Sequence, residues 1–135
     1  MKIIRFLDEQ GESHYGAQHN DDSVTRIEGC IFSDYTDTGE AATVTKQLAP
    51  VKPATVLCIG LNYRKHAEEG GADIPEHPVL FMKMPSTVQN PGDPILLPTR
   101  LKSDSVDYEC ELAVVIGKDC KNVSKGDALD YVLGY

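Results

Sequence analysis

Residues 55–71 read TVLCIGLNYRKHAEEGG. The first five residues of this stretch form an apolar run, which is typical of a strand buried on both faces. Gly60 ends that run, and Asn62 is placed to cap a short helix over residues 63–69. Gly70 and Gly71 stop the helix. We therefore predict a buried strand followed by a short helix.

The part of the chain before this stretch has a different character. Pro50 and Pro53 predict a stiff connector, because a proline fixes its own φ and biases the preceding residue toward extended geometry. Residues 1–53 are predicted to form a small β-rich N-terminal domain, with a strand at 2–7 and turns at 8–11 and 38–40. Residues 54–135 are predicted to belong to a second domain, and every candidate for chemistry lies there.

Downstream, residues 106–117 read VDYECELAVVIG and predict a long strand. Side chains alternate across a strand, so Asp107, Glu109 and Glu111 share one face, and the two glutamates lie about 7 Å apart. Neighbouring carboxylates repel each other, and a hard divalent cation such as Mg²⁺ or Mn²⁺ removes that penalty. The alternative is a solvated strand end whose acidic side chains face water.

A second candidate lies on the predicted helix. His66 and Glu69 are three residues apart, so the carboxylate can reach the imidazole. Such a partner orients a histidine and raises its basicity, as a general base requires. The alternative is an ordinary ion pair on the surface of a charged helix.

A third candidate is Lys83, the last residue of the apolar stretch 78–83. A lysine at the end of a buried strand can point into a cleft and bind a substrate carboxylate. It can equally extend along the apolar surface and place its ammonium group in water.

Composition excludes several classes of function. The 135 residues include 13 Lys and Arg against 21 Asp and Glu, which gives a formal net charge of -8. This charge disfavours nucleic acid as a partner, and with it a metal-dependent nuclease. No apolar run reaches the roughly 20 residues that a membrane helix needs. The N-terminus lacks the apolar core of a signal peptide, so we expect a cytoplasmic protein without a membrane partner.

Five segments together resemble the fumarylacetoacetate hydrolase family. They follow one another in the family's order: CIGLNYRKHAEE (58–69), PVLFMKMPST (78–87), PGDPI (91–95), DYECELAVVIG (107–117) and ALDYVLGY (128–135). The resemblance implies a β-rich, mixed α/β catalytic core in a Mg²⁺- or Mn²⁺-dependent homodimer. Residues 1–53 resemble, less specifically, the small N-terminal domain of many bacterial members.

The resemblance also implies roles for individual residues. Glu109 and Glu111 match the metal-binding E-x-E, His66 and Glu69 match a water-activating dyad, and Lys83 matches a lysine that lies near the substrate. The implied reaction is hydrolysis of a carbon–carbon bond in a 2,4-dioxo acid. The alternatives are decarboxylation or isomerisation of a small 2-oxo acid.

One family feature lies outside these 135 residues. Ser124 and Asp127 predict the start of a helix that ends near Gly134. In the family, the third metal carboxylate is an aspartate on the strand after that helix. We therefore expect a chain truncated within the catalytic domain, and a non-catalytic fragment is the competing hypothesis.

Overall fold

The computed structural model describes all residues from 1 to 135 and is β-rich, with nine strands and one short helix. The strands are β1 (Lys2–Leu7), β2 (Ser13–Gln18), β3 (Val24–Gly29), β4 (Tyr35–Ala41), β5 (Lys46–Leu48), β6 (Val56–Gly60), β7 (Val79–Lys83), β8 (Val115–Ile116) and β9 (Val132–Gly134). The helix is α1 (Arg64–Glu69), and 3₁₀ turns lie at Pro85–Thr87 and Ala128–Tyr131. The only α-helix spans six residues, and no helix has the length and apolar character needed to cross a membrane.

The first five strands form one antiparallel sheet in the order β4-β3-β2-β1-β5. The predicted turn at 8–11 is confirmed, and it joins β1 to β2 in a hairpin. Asp8 closes this turn, because its Oδ1 accepts hydrogen bonds from the backbone N–H groups of Gln10 and Glu12 at 3.0 and 2.9 Å. Gly11 supplies the positive φ of 81° that the tight turn requires.

The hydrophobic core lies on the two faces of this sheet. Ile4, Phe6 and Val24 form a buried cluster on one face. On the other face, Ala17, Ile27 and Ile31 form a second cluster, and Leu133 of β9 packs against it. The ribbon β8–β9 thereby attaches the end of the chain to the N-terminal sheet.

The turn predicted at residues 38–40 is wrong, because these residues lie inside β4. Thr25 of β3 pairs with Ala41, whereas Ile27 pairs with Asp37, so β4 carries two extra residues between these pairs. Gly39 has a φ of 75°, which an L side chain rarely adopts. The glycine therefore forms a bulge within a continuous strand and does not reverse the chain.

In the second half of the chain, β6 and β7 pair as an antiparallel ribbon, and α1 lies between them in sequence. The predicted strand, helix and glycine stop are confirmed in outline. The N-cap residue is Tyr63 and no side chain caps the helix, so the prediction for Asn62 is wrong.

The prediction that β6 is buried on both faces is also wrong. Ala67 is the only buried residue after Ala49, and every residue of β7 is exposed. A two-stranded ribbon has no layer of its own to bury both faces, so its apolar side chains face outward. Exposed apolar side chains such as those of β7 are typical of a surface that packs against further protein.

Two further predictions are wrong. Residues 106–114 form no strand, and only Val115–Ile116 pairs, with β9. A strand needs a hydrogen-bonded neighbour, and none runs beside residues 106–114 in this chain. The helix predicted up to Gly134 is a 3₁₀ turn followed by β9, because pairing with β8 takes up the last residues.

A polar network joins the N-terminal sheet to the loop after β7. Lys46 Nζ lies 2.8 Å from Asp93 Oδ1, and Asn90 Nδ2 donates to Asp93 Oδ2 at 2.9 Å. The backbone N–H of Ala49 donates to Asn90 Oδ1 at 3.0 Å. The hydrogen bonds from Lys46 and Asn90 hold the pKa of Asp93 below its usual value of 3.8.

Asp93→Asn is expected to lower the urea midpoint of unfolding at pH 7. Because the folded-state pKa of Asp93 is depressed, its carboxylate stabilises the fold above the unfolded value of 3.8. That contribution is lost as the pH falls through the folded pKa. The difference in midpoint between wild type and variant should therefore vanish in acid. Asp104→Asn, at an exposed position, is the control, and a pH-independent difference would contradict the prediction.

Candidate functional site

The site is built around one face of α1. His66 and Glu69 are three residues apart on α1, which places their side chains on the same side of the helix, and Tyr63 is the N-cap residue that precedes it. All three line a cavity whose opposite wall is formed by residues 107–111. The three-residue spacing within α1 thus brings the predicted dyad against the predicted metal ligands.

Glu109 and Glu111 lie in this cavity although their segment is not a strand. The same two glutamates, with Asp107, also line an adjoining cavity that contains Lys83. The sequence predicted that these acidic side chains lie close together, and they do line the same cavity. Their segment, however, forms no strand hydrogen bonds.

The carboxylate that contacts His66 is Glu109. Its Oε1 lies 3.3 Å from His66 Nδ1, and the two side chains are 53% and 48% exposed. No ion pair joins His66 to Glu69, although both line the same cavity. A solvent-exposed ion pair of this kind contributes little to stability, so its main effect is to orient the imidazole. The role of Glu69 in the dyad stays a prediction.

Lys83 ends β7 and is exposed. Its Nζ lies 5.8 Å from the centroid of the Phe81 ring, and its side chain lines the cavity that contains both glutamates. A single cation beside several carboxylates provides a point of attachment for an anionic group. The sequence allowed Lys83 either to point into a cleft or to extend into water, and in the structure its side chain lies beside the site.

Tyr63 is a site residue that the sequence reasoning missed. Its hydroxyl accepts a hydrogen bond from the backbone N–H of Leu112 at 2.7 Å, which joins the start of α1 to the segment of the glutamates. The available signal was its position three residues before His66, at the start of the helix.

The donor chemistry of the site fits a hard divalent cation. Nowhere in the chain do three His, Cys, Asp or Glu side chains converge as a complete ligand set. Mg²⁺, however, is commonly held by one or two carboxylates and keeps several of its waters. Glu109 and Glu111 supply such a pair, and contact with His66 occupies only one oxygen of Glu109.

The chain is similar to two known protein families. The family described as Fumarylacetoacetate (FAA) hydrolase C-terminal matches residues 55–135. A second family, described as Rv2993c-like, N-terminal, matches residues 1–52. A solved structure from Mycobacterium abscessus superimposes with a TM-score of 0.78 at 33% identity and covers 100% of this chain and 53% of its own.

Two curated relatives match about two thirds of the chain. The Fumarylacetoacetate hydrolase domain-containing protein 2 homolog of Dictyostelium discoideum is 52% identical over 87 residues. Oxaloacetate tautomerase YisK of Bacillus subtilis is 53% identical over 91 residues. Each alignment covers 64% of this chain, but only 28% and 30% of the respective relative. Because the family match spans more than half of its residues and includes the whole candidate site, the chain belongs to the fumarylacetoacetate hydrolase family.

Proposed function

We propose that this chain takes part in keto–enol tautomerisation of a small 2-oxo dicarboxylic acid of the oxaloacetate class. Members of the family are enzymes, and they include hydrolases and tautomerases. The observation that carries the proposal is the similarity of the chain to three relatives, from Bacillus subtilis, Xenopus laevis and Rattus norvegicus. They are named oxaloacetate tautomerases and are 53%, 45% and 44% identical to this chain over the matched region.

The chemistry requires one base that can move a proton between carbon and oxygen. His66 is suited to it, because a proton on Nδ1 can be donated to Glu109 and the lone pair is then on Nε2. In the proposed reaction, His66 removes the proton from C3 of the 2-oxo acid, and the protonated imidazole then delivers a proton to the C2 carbonyl oxygen. The proton lost from carbon equals the proton gained by oxygen, so no co-reactant is needed.

The remaining residues bind and orient the substrate. Enzymes of the family generally use a divalent metal, which would be held by Glu109 and Glu111 and would polarise the 2-oxo carbonyl when bound. Lys83 lines the cavity that contains these glutamates and provides a positive charge for a substrate carboxylate. A dicarboxylic acid suits this arrangement, because one end can meet the metal and the other the lysine.

A second candidate is hydrolysis of a carbon–carbon bond in a 2,4-dioxo acid. The position of Glu69 favours hydrolysis, because Glu69 lines the same cavity as His66 and could help that histidine to activate water. Hydrolysis and tautomerisation differ in their products, since only hydrolysis releases pyruvate from an acylpyruvate.

The test is to add the purified chain and Mn²⁺ to the enol form of oxaloacetate and to follow the loss of enol absorbance. We expect an accelerated loss of enol without release of CO₂. His66→Asn should reduce the rate by about 10²–10⁴-fold, the usual contribution of a general base.

His77→Asn is the matched control, because His77 lies outside the cavity that contains His66 and should leave the rate unchanged. Pyruvate release from an acylpyruvate without enol turnover would favour the hydrolase. No turnover of either substrate by the folded chain with Mn²⁺ would contradict catalysis by these 135 residues and favour the non-catalytic hypothesis.

A further inference from the structure

The segment that carries both glutamates has few backbone contacts. Residues 106–114 belong to no strand, and the backbone N–H of Tyr108 bonds only to the adjacent Asp107 side chain. The one hydrogen bond from a backbone N–H of this segment to another element runs from Leu112 to the Tyr63 hydroxyl, at 2.7 Å. The position of the glutamates therefore depends on very few attachments.

Two of these attachments come from α1 and its N-cap residue. His66 contacts Glu109, and Tyr63, three residues earlier, binds the backbone immediately after Glu111. Glu111 thus lies between two points of attachment, one to α1 and one to its N-cap residue. A carboxylate pair in a flexible segment must lose conformational entropy when it binds a metal, and a segment that is already attached loses less.

We propose that Tyr63 is a positioning residue, whose hydroxyl holds the segment of Glu109 and Glu111 in the geometry that binds the divalent metal. The metal part of this inference rests on the proposed function. Tyr63 is 40% exposed, so its ring contributes little to a hydrophobic core. The hydroxyl, which reaches the backbone of Leu112, is the atom that matters.

Tyr63→Phe keeps the ring and removes the hydroxyl. In the metal-free variant, amide hydrogen exchange at Leu112 should rise about fivefold, as expected from the loss of one hydrogen bond. The ring resonances of His66, which report its contact with Glu109, should shift. Calorimetry should show Mn²⁺ affinity reduced about tenfold, at the lower end of the effect of residues that support metal ligands. The melting temperature should stay unchanged.

Tyr35→Phe, at the start of β4, is the matched control and should change none of these quantities. Unchanged exchange at Leu112 or unchanged His66 resonances in Tyr63→Phe would overturn the inference. If Tyr63→Phe binds Mn²⁺ as tightly as the wild-type chain, the inference is also overturned. It is overturned as well if the melting temperature falls enough to account for the loss of Mn²⁺ affinity. If the wild-type chain binds no Mn²⁺, the proposed function fails. The two metal-free measurements then decide whether Tyr63 positions the segment.

Discussion

Glu111→Gln is expected to lower the affinity of the chain for Mn²⁺ by on the order of 10–100-fold, because affinity for hard cations depends on the number of charged oxygen ligands. The substitution preserves the shape of the side chain and removes its negative charge. Glu111 is a cleaner target than Glu109, because Glu109 also contacts His66 and its loss would disturb the imidazole. Isothermal titration calorimetry of the wild-type chain and the variant measures the change directly.

The control must separate a ligand from general electrostatics, since the chain has a net charge of -8 and attracts any cation. Glu40→Gln removes the same charge from an exposed position on β4, outside the cavity. At moderate ionic strength this variant should bind Mn²⁺ as wild type does, because distant surface charges are screened. Equal affinities for Glu111→Gln and wild type would contradict a role for this carboxylate in metal binding.

Phe6→Ala is expected to lower the free energy of unfolding by about 3–5 kcal/mol, the usual cost of truncating a buried phenylalanine. Phe6 is 0% exposed and is the largest fully buried side chain of the chain. It packs with Ile4 and Val24 on one face of the N-terminal sheet, and its ring lies 5.8 Å from that of His14. The core contains few other large side chains, so few neighbouring atoms can move into the cavity that Phe6→Ala leaves.

Urea unfolding followed by circular dichroism measures this loss. Phe32→Ala is the matched control, because Phe32 is 46% exposed and its truncation should cost less than about 1 kcal/mol. A similar loss for both variants would show that the Phe6 cluster is not the core of the sheet. A loss of the predicted size is a large part of the 5–15 kcal/mol that stabilises a typical domain, so the sheet of Phe6→Ala is expected to be largely unfolded at moderate urea concentrations.

Features that depend on neighbouring residues could be predicted from the sequence. The hairpin of β1 and β2 follows from its apolar strand and its glycine turn, and α1 follows from the residues between Gly60 and Gly70. The presence of Glu109 and Glu111 within one short segment follows from the sequence in the same way, and their role in metal binding stays a prediction. The family could be named for a related reason, since its motifs are short and ordered.

Features that depend on distant partners could not be predicted. Residues 106–114 have the alternation of a strand but no neighbour to pair with, and the apolar helix pattern near the end of the chain yields to pairing of β9 with β8. His66 has a carboxylate three residues away, yet its contact is Glu109. A periodic pattern specifies which faces and hydrogen-bonding groups a segment offers. Which distant segment meets them is decided by tertiary packing alone, because the free energy of those contacts depends on partners far away in the chain.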